Sequence, residues 1–300
     1  MTPAPDPSSD ASLADRAFVA LQLCLPTRWL SLLVFRLTQI RHWGFKNALI
    51  RVFLRGYPID LTEAEHERIE CYDSFNHFFT RALKPGARPL PDDARAFVSP
   101  VDGTVSQLGT IGADRIIQAK GHSYSLYDLL PGDADARDFV GGEFCTIYLA
   151  PYNYHRIHMP TAGKLRHWTY VPGRLFSVNA ATARVLPNLF TRNERLNARF
   201  DTPAGPFVLS MIGALFVGSL ETVWSGRVTP PHLRRPNDGG QYTTMQPVEL
   251  ERGAEMGRFN MGSTVILLAP PGAVDWAAGL QPGRSVRLGQ PLGRWRGEGA

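Results

Sequence analysis

The chain has 300 residues and a mass of 33.2 kDa, enough to bury a substantial core in one large domain or two smaller ones. Apolar residues make up 44% of it and charged residues 20%, and this ordinary globular composition excludes a disordered or collagen-like chain. The three cysteines have no CxxC spacing, which excludes a disulfide framework and a cysteine-based zinc site and indicates a reducing compartment.

The net charge of +5 is concentrated near the N-terminus. Residues 16–55 contain seven Arg and Lys residues and no Asp or Glu, so the remainder of the chain is net acidic, at −2. The same segment is rich in apolar and aromatic residues, which is more typical of a membrane surface than of nucleic-acid binding. We therefore expect an anionic membrane surface as a partner and no nucleic acid.

The sequence of the first part of the chain predicts a short polar segment, the lead, followed by helices. Residues 1–12 are rich in Pro, Ser and Asp without the basic start of a signal peptide, which predicts a disordered lead. Residues 13–83 are predicted as a helical, membrane-associating region with breaks at Pro26 and Gly44. Its charge-free runs are shorter than the about 20 residues that a spanning helix needs. The pattern predicts amphipathic helices in the membrane interface, and the alternative is a helical cap on the protein's own core.

The remainder of the chain has the pattern of strands. From residue 84 onward, short apolar, β-branched runs alternate with turn residues, as in FVSPVDGTVSQLG, FCTIYLAP and STVILLAPPG. This pattern predicts a β-rich catalytic domain of the barrel or sandwich kind over residues 84–300, and with the helices it gives an α+β fold. Residues 230–246 are polar and rich in turn formers, which predicts a mobile loop.

Three places carry polar groups that could do chemistry. Asp102 lies in the turn SPVDGTV, His155 and His158 lie in NYHRIHMP, and Ser263 follows Gly262 in FNMGSTVILL. Each signal is weak alone, since Asp-Gly is common in turns and a histidine in a strand is more often structural. The HxxH spacing suits a metal on a helix, but in strand-like sequence the two rings would face opposite sides. We therefore predict no metal site.

An Asp, a His and a Ser in one β-rich domain permit two kinds of nucleophilic chemistry. One is a Ser-His-Asp lipid hydrolase, although the sequence has no GxSxG elbow. The other is attack of Ser263 on the carbonyl of Gly262, an intramolecular acyl shift favoured by proximity and by the missing Cβ of glycine. A non-catalytic membrane-binding protein is the third hypothesis, and the residues alone leave all three open.

Taken in order, a series of longer motifs resembles the bacterial, pyruvoyl-dependent phosphatidylserine decarboxylase family. They run from about residue 75 to residue 268: FNHFFTRALKPGARPL, SPVDGTVSQLG, QAKGHSYSL, YHRIHMPTAGKL, YVPGRLFSVN, PNLFTRNERL, VGSLETVW and GAEMGRFNMGSTVILL. The family's cleavage motif is typically Leu-Gly-Ser-Thr, and here Met261 replaces the leucine. Because methionine has a similar volume and apolarity, we expect processing to be retained.

The resemblance implies a proenzyme that cuts itself between Gly262 and Ser263, leaving a β chain of residues 1–262 and an α chain of residues 263–300. Ser263 then becomes a covalent pyruvoyl group, and neither pyridoxal phosphate nor a metal is needed. Asp102 and His158 match the positions that assist the serine in this family. His155 matches the histidine linked to the decarboxylation step.

The same resemblance implies the substrate and the location. Phosphatidylserine would be decarboxylated to phosphatidylethanolamine in phospholipid biosynthesis, by a homodimer on the cytoplasmic face of the bacterial inner membrane. Loss of CO₂ leaves a carbanion that needs an electron sink, and a histidine that titrates near neutral pH suits the proton transfer that follows. Extracting a diacyl lipid costs about 0.8 kcal/mol per CH₂ group, so the enzyme is expected to work on the membrane.

Overall fold

The computed structural model describes residues 11–216, 219–229 and 240–296, and it confirms the α+β prediction: helices first, then antiparallel sheets. The first ten residues of the predicted lead, residues 230–239 of the predicted loop and residues 297–300 lie outside this description. The α-helices are α1 (Leu13–Cys24), α2 (Thr27–Thr38), α3 (Trp43–Gly56), α4 (Phe75–Phe79), α5 (Leu126–Leu129), α6 (Ala180–Val185) and α7 (Leu189–Arg192).

The strands extend from residue 96 to the end of the described chain. They are β1 (Ala96–Val98), β2 (Gly103–Thr110), β3 (Arg115–Ala119), β4 (His122–Ser125), β5 (Glu143–Leu149), β6 (Arg156–His158), β7 (Gly163–Val171), β8 (Arg195–Thr202), β9 (Gly205–Ile212), β10 (Leu220–Thr222), β11 (Gly226–Arg227), β12 (Gly240–Tyr242), β13 (Glu249–Leu250), β14 (Glu255–Phe259), β15 (Ser263–Ala269), β16 (Val274–Trp276), β17 (Ser285–Val286) and β18 (Pro291–Trp295).

Local capping explains where the first helices begin and end. A capping box starts α1, because the Ser12 hydroxyl accepts a hydrogen bond from the Asp15 amide and the Asp15 carboxylate accepts one from the Ser12 amide. The helix ends just before Pro26, as predicted. The second break, predicted at Gly44, lies instead at residues 39–42, because the His42 ring caps α3 by accepting a hydrogen bond from the Phe45 amide.

The second half of the predicted helical region contains less helix than expected. Between residues 61 and 83 the structure has one 3₁₀ turn, Ile69–Cys71, and the five-residue helix α4. The remainder is held by backbone hydrogen bonds between two extended segments: the Glu65 amide donates to the Ala82 carbonyl, and the Lys84 amide donates to the Glu63 carbonyl. These pairings replace helical hydrogen bonds, so the periodic pattern of apolar residues does not become one long helix.

A nine-stranded antiparallel sheet carries the functional residues. Its order is β12-β7-β8-β9-β15-β5-β2-β17, with β13 also paired to β7, so the strands present in the structure end at two edges and do not close a barrel. Strand β15 lies between β9 and β5, and all seven of its residues are buried. Its unbroken apolar run is what a strand covered on both faces requires.

Three smaller sheets complete the domain: β11-β10-β14-β6, β1-β18-β16 and the hairpin β3-β4. The first of them matters most for function. Strand β6 contains His158, and β14 leads directly into the segment before Ser263. Because β6 and β14 are paired, the histidine motif and the predicted cleavage motif lie side by side.

A second, separate cluster of buried apolar residues joins the N-terminal helices to this sheet. Its buried members are Ile50, Tyr72, Phe75, Phe78 and Phe79, and partly buried residues such as Met261 pack against them. Since Ile50 belongs to α3 and the phenylalanines to α4, these helices are anchored to the body of the protein. This is the structural role that the helical-cap alternative assigned to them.

The same helices leave a large apolar surface uncovered. Trp29 is 75% exposed, Trp43 62% and Leu33 54%, and several other large apolar residues of α1–α3 are also exposed. No single helix in the described ranges is both long and apolar enough to cross a membrane; α1 and α2 meet that measure only as a pair, with a bend of 84° between them. The helical region therefore has one face on the protein and one apolar face in solvent.

Candidate active site

Ser263 is the first residue of β15 and lies opposite Leu149 of β5. Its side chain is completely buried, and its Oγ atom has no hydrogen-bond partner. An unpaired buried hydroxyl is costly. Thr264 and Thr146 share this state, so Ser263 is distinguished by its position directly after Gly262. The structure thus places an unengaged nucleophile next to the carbonyl of Gly262.

The residue before Gly262 has an unusual backbone. Met261 has a φ of +105°, in the region that residues with a side chain seldom adopt. Such a conformation costs on the order of 1–3 kcal/mol and persists only where surrounding contacts hold it. Here the Met261 side chain packs against the cluster formed by α3 and α4. The uncut chain is therefore strained one residue before the predicted cleavage bond.

His155 is the predicted histidine that lies nearest this bond. Its Nδ1–H donates to the Asn153 carbonyl at 2.8 Å, so Nε2 is left as an acceptor. That Nε2 atom is buried without a partner, and it lies 3.8 Å from the position that a Cβ atom on Gly262 would occupy. Burial lowers the pKa of His155 to about 3, and the positive charge of Arg81 contributes to this lowering. At neutral pH the ring is therefore uncharged and its Nε2 is a hydrogen-bond acceptor, and the expectation of a histidine that titrates near neutral pH is wrong for His155 in the uncut chain.

His158 has a different set of partners. Its Nδ1–H donates to the Gly253 carbonyl at 2.8 Å, and its Nε2 accepts a hydrogen bond from the Tyr154 hydroxyl at 3.0 Å. Burial lowers the pKa of His158 as well. The two rings thus contact separate groups, as the strand-like spacing of the motif predicts. Sequence analysis did not single out Tyr154, because a tyrosine next to a histidine carries no spacing signal.

Asp102 is bound by an arginine rather than by a histidine. Its carboxylate accepts hydrogen bonds from Arg88 Nε at 3.1 Å and Arg88 Nη2 at 2.6 Å, and from the Leu288 amide at 2.8 Å. Across the described ranges, no hydrogen bond joins Asp102 to His158, or either of them to Ser263. Arg88 was missed by sequence analysis, since nothing in GARPL indicates that its side chain reaches a turn 14 residues later.

An apolar cavity of about 410 Å³ opens beside the cleavage motif. Met261, Gly262 and Ser263 line one side of it, and Phe18 of α1 and Phe53 of α3 line another. Its size lies at the lower end of the range for small-molecule sites. The cavity therefore connects Ser263 with the helices that present the exposed apolar face.

These groups fit the formation of a small carbonyl group at residue 263. The serine hydroxyl is buried and unpaired, the neighbouring His155 nitrogen is an acceptor, and the cavity walls are largely apolar. A carbonyl in place of the hydroxyl would add no donor that needs a partner. Within the portion of the chain that the structure covers, no group of three His, Cys, Asp or Glu side chains is placed to hold a metal ion.

Comparison with known proteins gives one consistent family. The family model described as phosphatidylserine decarboxylase matches residues 75–294, and a second model described as PSD matches residues 17–58. Three curated relatives carry the description phosphatidylserine decarboxylase proenzyme. The one from Pseudomonas fluorescens is 52% identical, covering 93% of this chain and 97% of its own; the one from Nitrosococcus oceani is 51% identical, covering 94% and 92%. The one from Ectopseudomonas mendocina is 49% identical, covering 94% and 99%.

Proposed function

The chain belongs to the phosphatidylserine decarboxylase family, and we propose that it makes its own catalytic group by cutting itself between Gly262 and Ser263. It is a phosphatidylserine decarboxylase, an enzyme of phospholipid metabolism that releases CO₂ from the serine headgroup and leaves phosphatidylethanolamine. The relatives are described as proenzymes, which agrees with a precursor that is processed. The lipid-hydrolase alternative finds no support among them.

The proposed cut is an acyl shift followed by elimination. Ser263 Oγ adds to the Gly262 carbonyl, the C–N bond breaks, and an ester links the two residues while the serine amine is freed. Loss of the Cα proton of residue 263 and departure of the Gly262 carboxylate leave a dehydroalanine. Water then replaces the nitrogen, ammonia is released, and residue 263 ends as a ketone at the start of the α chain. The unpaired, buried Oγ is the single observation that carries this proposal.

The strained backbone supports the same cut. Met261 can relax its φ of +105° once the chain ends at Gly262, because the new terminus is no longer tied to β15. Part of the strain in the precursor is therefore removed by cleavage. The Met261 side chain, held by the cluster of α3 and α4, maintains the strain until that point.

In this proposal His155 serves decarboxylation, and Asp102 and His158 assist Ser263 in the cut. The free Nε2 atom of His155 beside Gly262 supports its role. For Asp102 and His158 the support is the family resemblance, since Arg88 and Tyr154 are their partners in the uncut chain.

A pyruvoyl ketone at residue 263 supplies an electron sink for the bond that loses CO₂. The chain supplies the proton transfer. Because its Nε2 is unprotonated at neutral pH, His155 has to take a proton from the substrate before it can return one to the carbon that lost CO₂. The apolar cavity limits the access of water to that step.

We further propose that the enzyme is a peripheral protein on the cytoplasmic face of the bacterial inner membrane. The exposed apolar residues of α1–α3 and the six exposed arginines between positions 16 and 55 support attachment to an anionic surface. The seventh basic residue of that segment, Lys46, is buried and donates to the Ile69 and Glu70 carbonyls. The homodimer that the family resemblance implies stays a prediction, which light scattering on the purified enzyme tests.

Intact-mass measurement tests the self-cleavage. The wild-type chain should give two fragments, the smaller of about 4 kDa for residues 263–300, and a hydrazide reagent should label that fragment at its new carbonyl. Ser263→Ala should give one uncut chain of 33.2 kDa without activity. An uncut wild-type chain that decarboxylates lipid would overturn the proposal. An uncut chain that a serine-directed phosphonate labels at Ser263 would favour the hydrolase.

A further inference from the structure

A second cavity, of about 230 Å³, lies on the other side of the turn that follows β5. Pro151 lines the first cavity and Tyr152 lines the second, so the two cavities flank one turn. The second cavity is lined by charged side chains, among them Arg81, Arg88 and Asp102. Its polar walls distinguish it from the apolar cavity beside Ser263.

Arg81 is the unusual member of this second cavity. It follows α4 and is only 5% exposed, with its guanidinium carbon 5.8 Å from the centre of the Phe78 ring. Its Nη2 donates to the Tyr152 carbonyl at 3.4 Å, whereas Nε and Nη1 are buried without a partner. A buried cation whose N–H donors have no partner destabilises the free protein. A bound anion would remove this cost by accepting hydrogen bonds from those donors.

Burial alone does not explain these unused donors. Arg195 is buried even more deeply, at 2% exposed, and it donates to the backbone carbonyls of Leu129, Asp128, Thr191 and Asn193. Arg199, also 2% exposed, pairs with the Asp138 carboxylate at 2.7 Å. These two arginines have the partners that a structural role requires. Arg81 has one long hydrogen bond to a carbonyl and no carboxylate.

The carboxylates near Arg81 are engaged elsewhere. Asp102 accepts from Arg88 and from the Leu288 amide. Glu63 pairs with Arg88 at 2.9 Å and with Arg287 at 3.1 Å. Asp60, which also lines the cavity, accepts from the amide and hydroxyl of Thr62. Among the described arginines of this cavity, Arg81 is therefore the one without a carboxylate partner.

Arg81 also lies close to the reaction centre. Two residues before Arg81, the Phe79 ring packs against the His155 ring with 4.2 Å between the ring centres, and the free Nε2 of His155 faces Gly262. The substrate headgroup carries two oxyanions, the serine carboxylate and the phosphodiester. We propose that Arg81 binds one of these oxyanions and so positions the headgroup beside residue 263. This assignment rests on the proposal that Ser263 is the reaction centre.

Steady-state kinetics with phosphatidylserine in detergent micelles test this role, with rates normalised to the amount of α chain. Arg81→Gln should be cut normally but have a kcat/KM about 10- to 100-fold lower, the range for loss of a charge-assisted hydrogen bond. The kcat/KM of Arg81→Lys should lie between those of wild type and Arg81→Gln, because an ammonium keeps the positive charge but lacks the paired N–H donors of a guanidinium. The control is Arg174→Gln, an exposed arginine that also lies over a phenylalanine ring, and it should behave as wild type.

Inhibition by the product separates the two oxyanions, because phosphatidylethanolamine keeps the phosphodiester and lacks the carboxylate. If Arg81 binds the carboxylate, Arg81→Gln leaves this inhibition unchanged while KM for phosphatidylserine rises. If it binds the phosphodiester, the KM for phosphatidylserine and the inhibition constant of phosphatidylethanolamine rise by the same factor.

A cut Arg81→Gln enzyme with wild-type KM and kcat would overturn the assignment. If Arg81→Gln does not fold or is not cut, Arg81→Lys decides: a KM at least about fivefold higher at an unchanged melting temperature supports the role, and wild-type kinetics refute it. Failure of the Ser263 proposal has a different signature, an uncut wild-type chain.

Discussion

The imidazole Nε2 of His155 lies 3.8 Å from the place where a Cβ atom on Gly262 would stand, and no hydrogen bond occupies it in the described ranges. The other nitrogen of the ring is fixed by the Asn153 carbonyl. The ring is therefore held in one orientation, with its free acceptor beside the residue that precedes the proposed cut. After cleavage the same acceptor would face the new carbonyl group, which is where proton transfer to and from the substrate has to take place.

The first prediction concerns the division of labour between the histidines. His155→Ala should leave self-cleavage largely intact and lower kcat by about 10² to 10⁴, the usual range for loss of a general acid–base group. His158→Ala should instead accumulate uncut precursor. Intact mass and kcat per α chain, measured on the same preparations, separate the two effects. Accumulation of uncut precursor by His155→Ala, together with normal cleavage but low turnover by His158→Ala, would reverse the assignment.

A second prediction uses the space around Gly262. A Cβ atom there would meet the Leu149 carbonyl oxygen at 3.7 Å and His155 Nε2 at 3.8 Å, which are ordinary contacts. Gly262→Ala should therefore fold with an unchanged melting temperature. Its methyl group, however, would add bulk next to the carbonyl that Ser263 attacks and hinder the approach of Oγ, so cleavage should slow by at least about tenfold. A time course of precursor conversion measures this, with Gly112→Ala, where a Cβ meets no atom within 4 Å, as the control.

A third prediction tests the strain at Met261. In the uncut Ser263→Ala background, Met261→Ile should lower the free energy of unfolding by about 1–2 kcal/mol relative to Met261→Leu. The two replacements have the same volume, but a β-branched side chain fits poorly at a φ of +105°. Urea unfolding provides the comparison. Equal stability of the two variants would mean that the backbone at this position is not strained.

The strands were predictable from sequence to a greater degree than the contacts of the site. VILLA, residues 265–269, is apolar throughout, and it forms most of the fully buried strand β15. Ser263 and Gly262 were identified by their place before that strand. Arg88 and Tyr154 were not identified, because their contacts with Asp102 and His158 depend on how distant turns meet in three dimensions. No local pattern encodes such a meeting.

The helical region illustrates the same limit. Its amphipathic period is correct for α1–α3, where successive turns place apolar residues on one face. Between residues 61 and 83 a similar density of apolar residues forms mostly extended chain, because residues 63–65 pair with residues 82–84. Periodicity describes which residues are buried, whereas the partner that buries them decides the conformation. The strain at Met261 has the same origin, since it depends on the cluster formed by α3 and α4.

A fourth prediction concerns the membrane. Because Ile50 of α3 belongs to a buried cluster, deleting residues 1–55 would expose that cluster, and surface substitutions make the cleaner test. The triple variant Trp29→Ser, Leu33→Ser, Trp43→Ser should lose at least about 100-fold in affinity for anionic vesicles, since each large apolar group contributes roughly 1.5–3 kcal/mol when it leaves water. Ile117→Ser, which removes an exposed apolar residue from the β3–β4 hairpin rather than from the helices, should sediment with vesicles as wild type. Unchanged binding by the triple variant would place the membrane contact elsewhere.

The last prediction follows from the buried, neutral state of His155. The pKa of this ring is about 3 in the folded chain and about 6.5 in the unfolded chain, so between these values the unfolded state binds the extra proton. The stability that His155 contributes is therefore complete above pH 6.5 and is lost as the pH falls towards 3. For uncut Ser263→Ala protein, this one group should remove about 2 kcal/mol from the free energy of unfolding between pH 7 and pH 5.

Urea unfolding at pH 7 and at pH 5 measures this loss. In the double variant Ser263→Ala, His155→Gln the loss should be smaller by about 2 kcal/mol, because the histidine that binds the extra proton in the unfolded state is absent. Burial also lowers the pKa values of His158 and His77, so these histidines should contribute to the loss that remains. An identical loss in the two proteins would mean that His155 is protonated in the folded chain at pH 5, and its Nε2 could not then act as the acceptor beside Gly262.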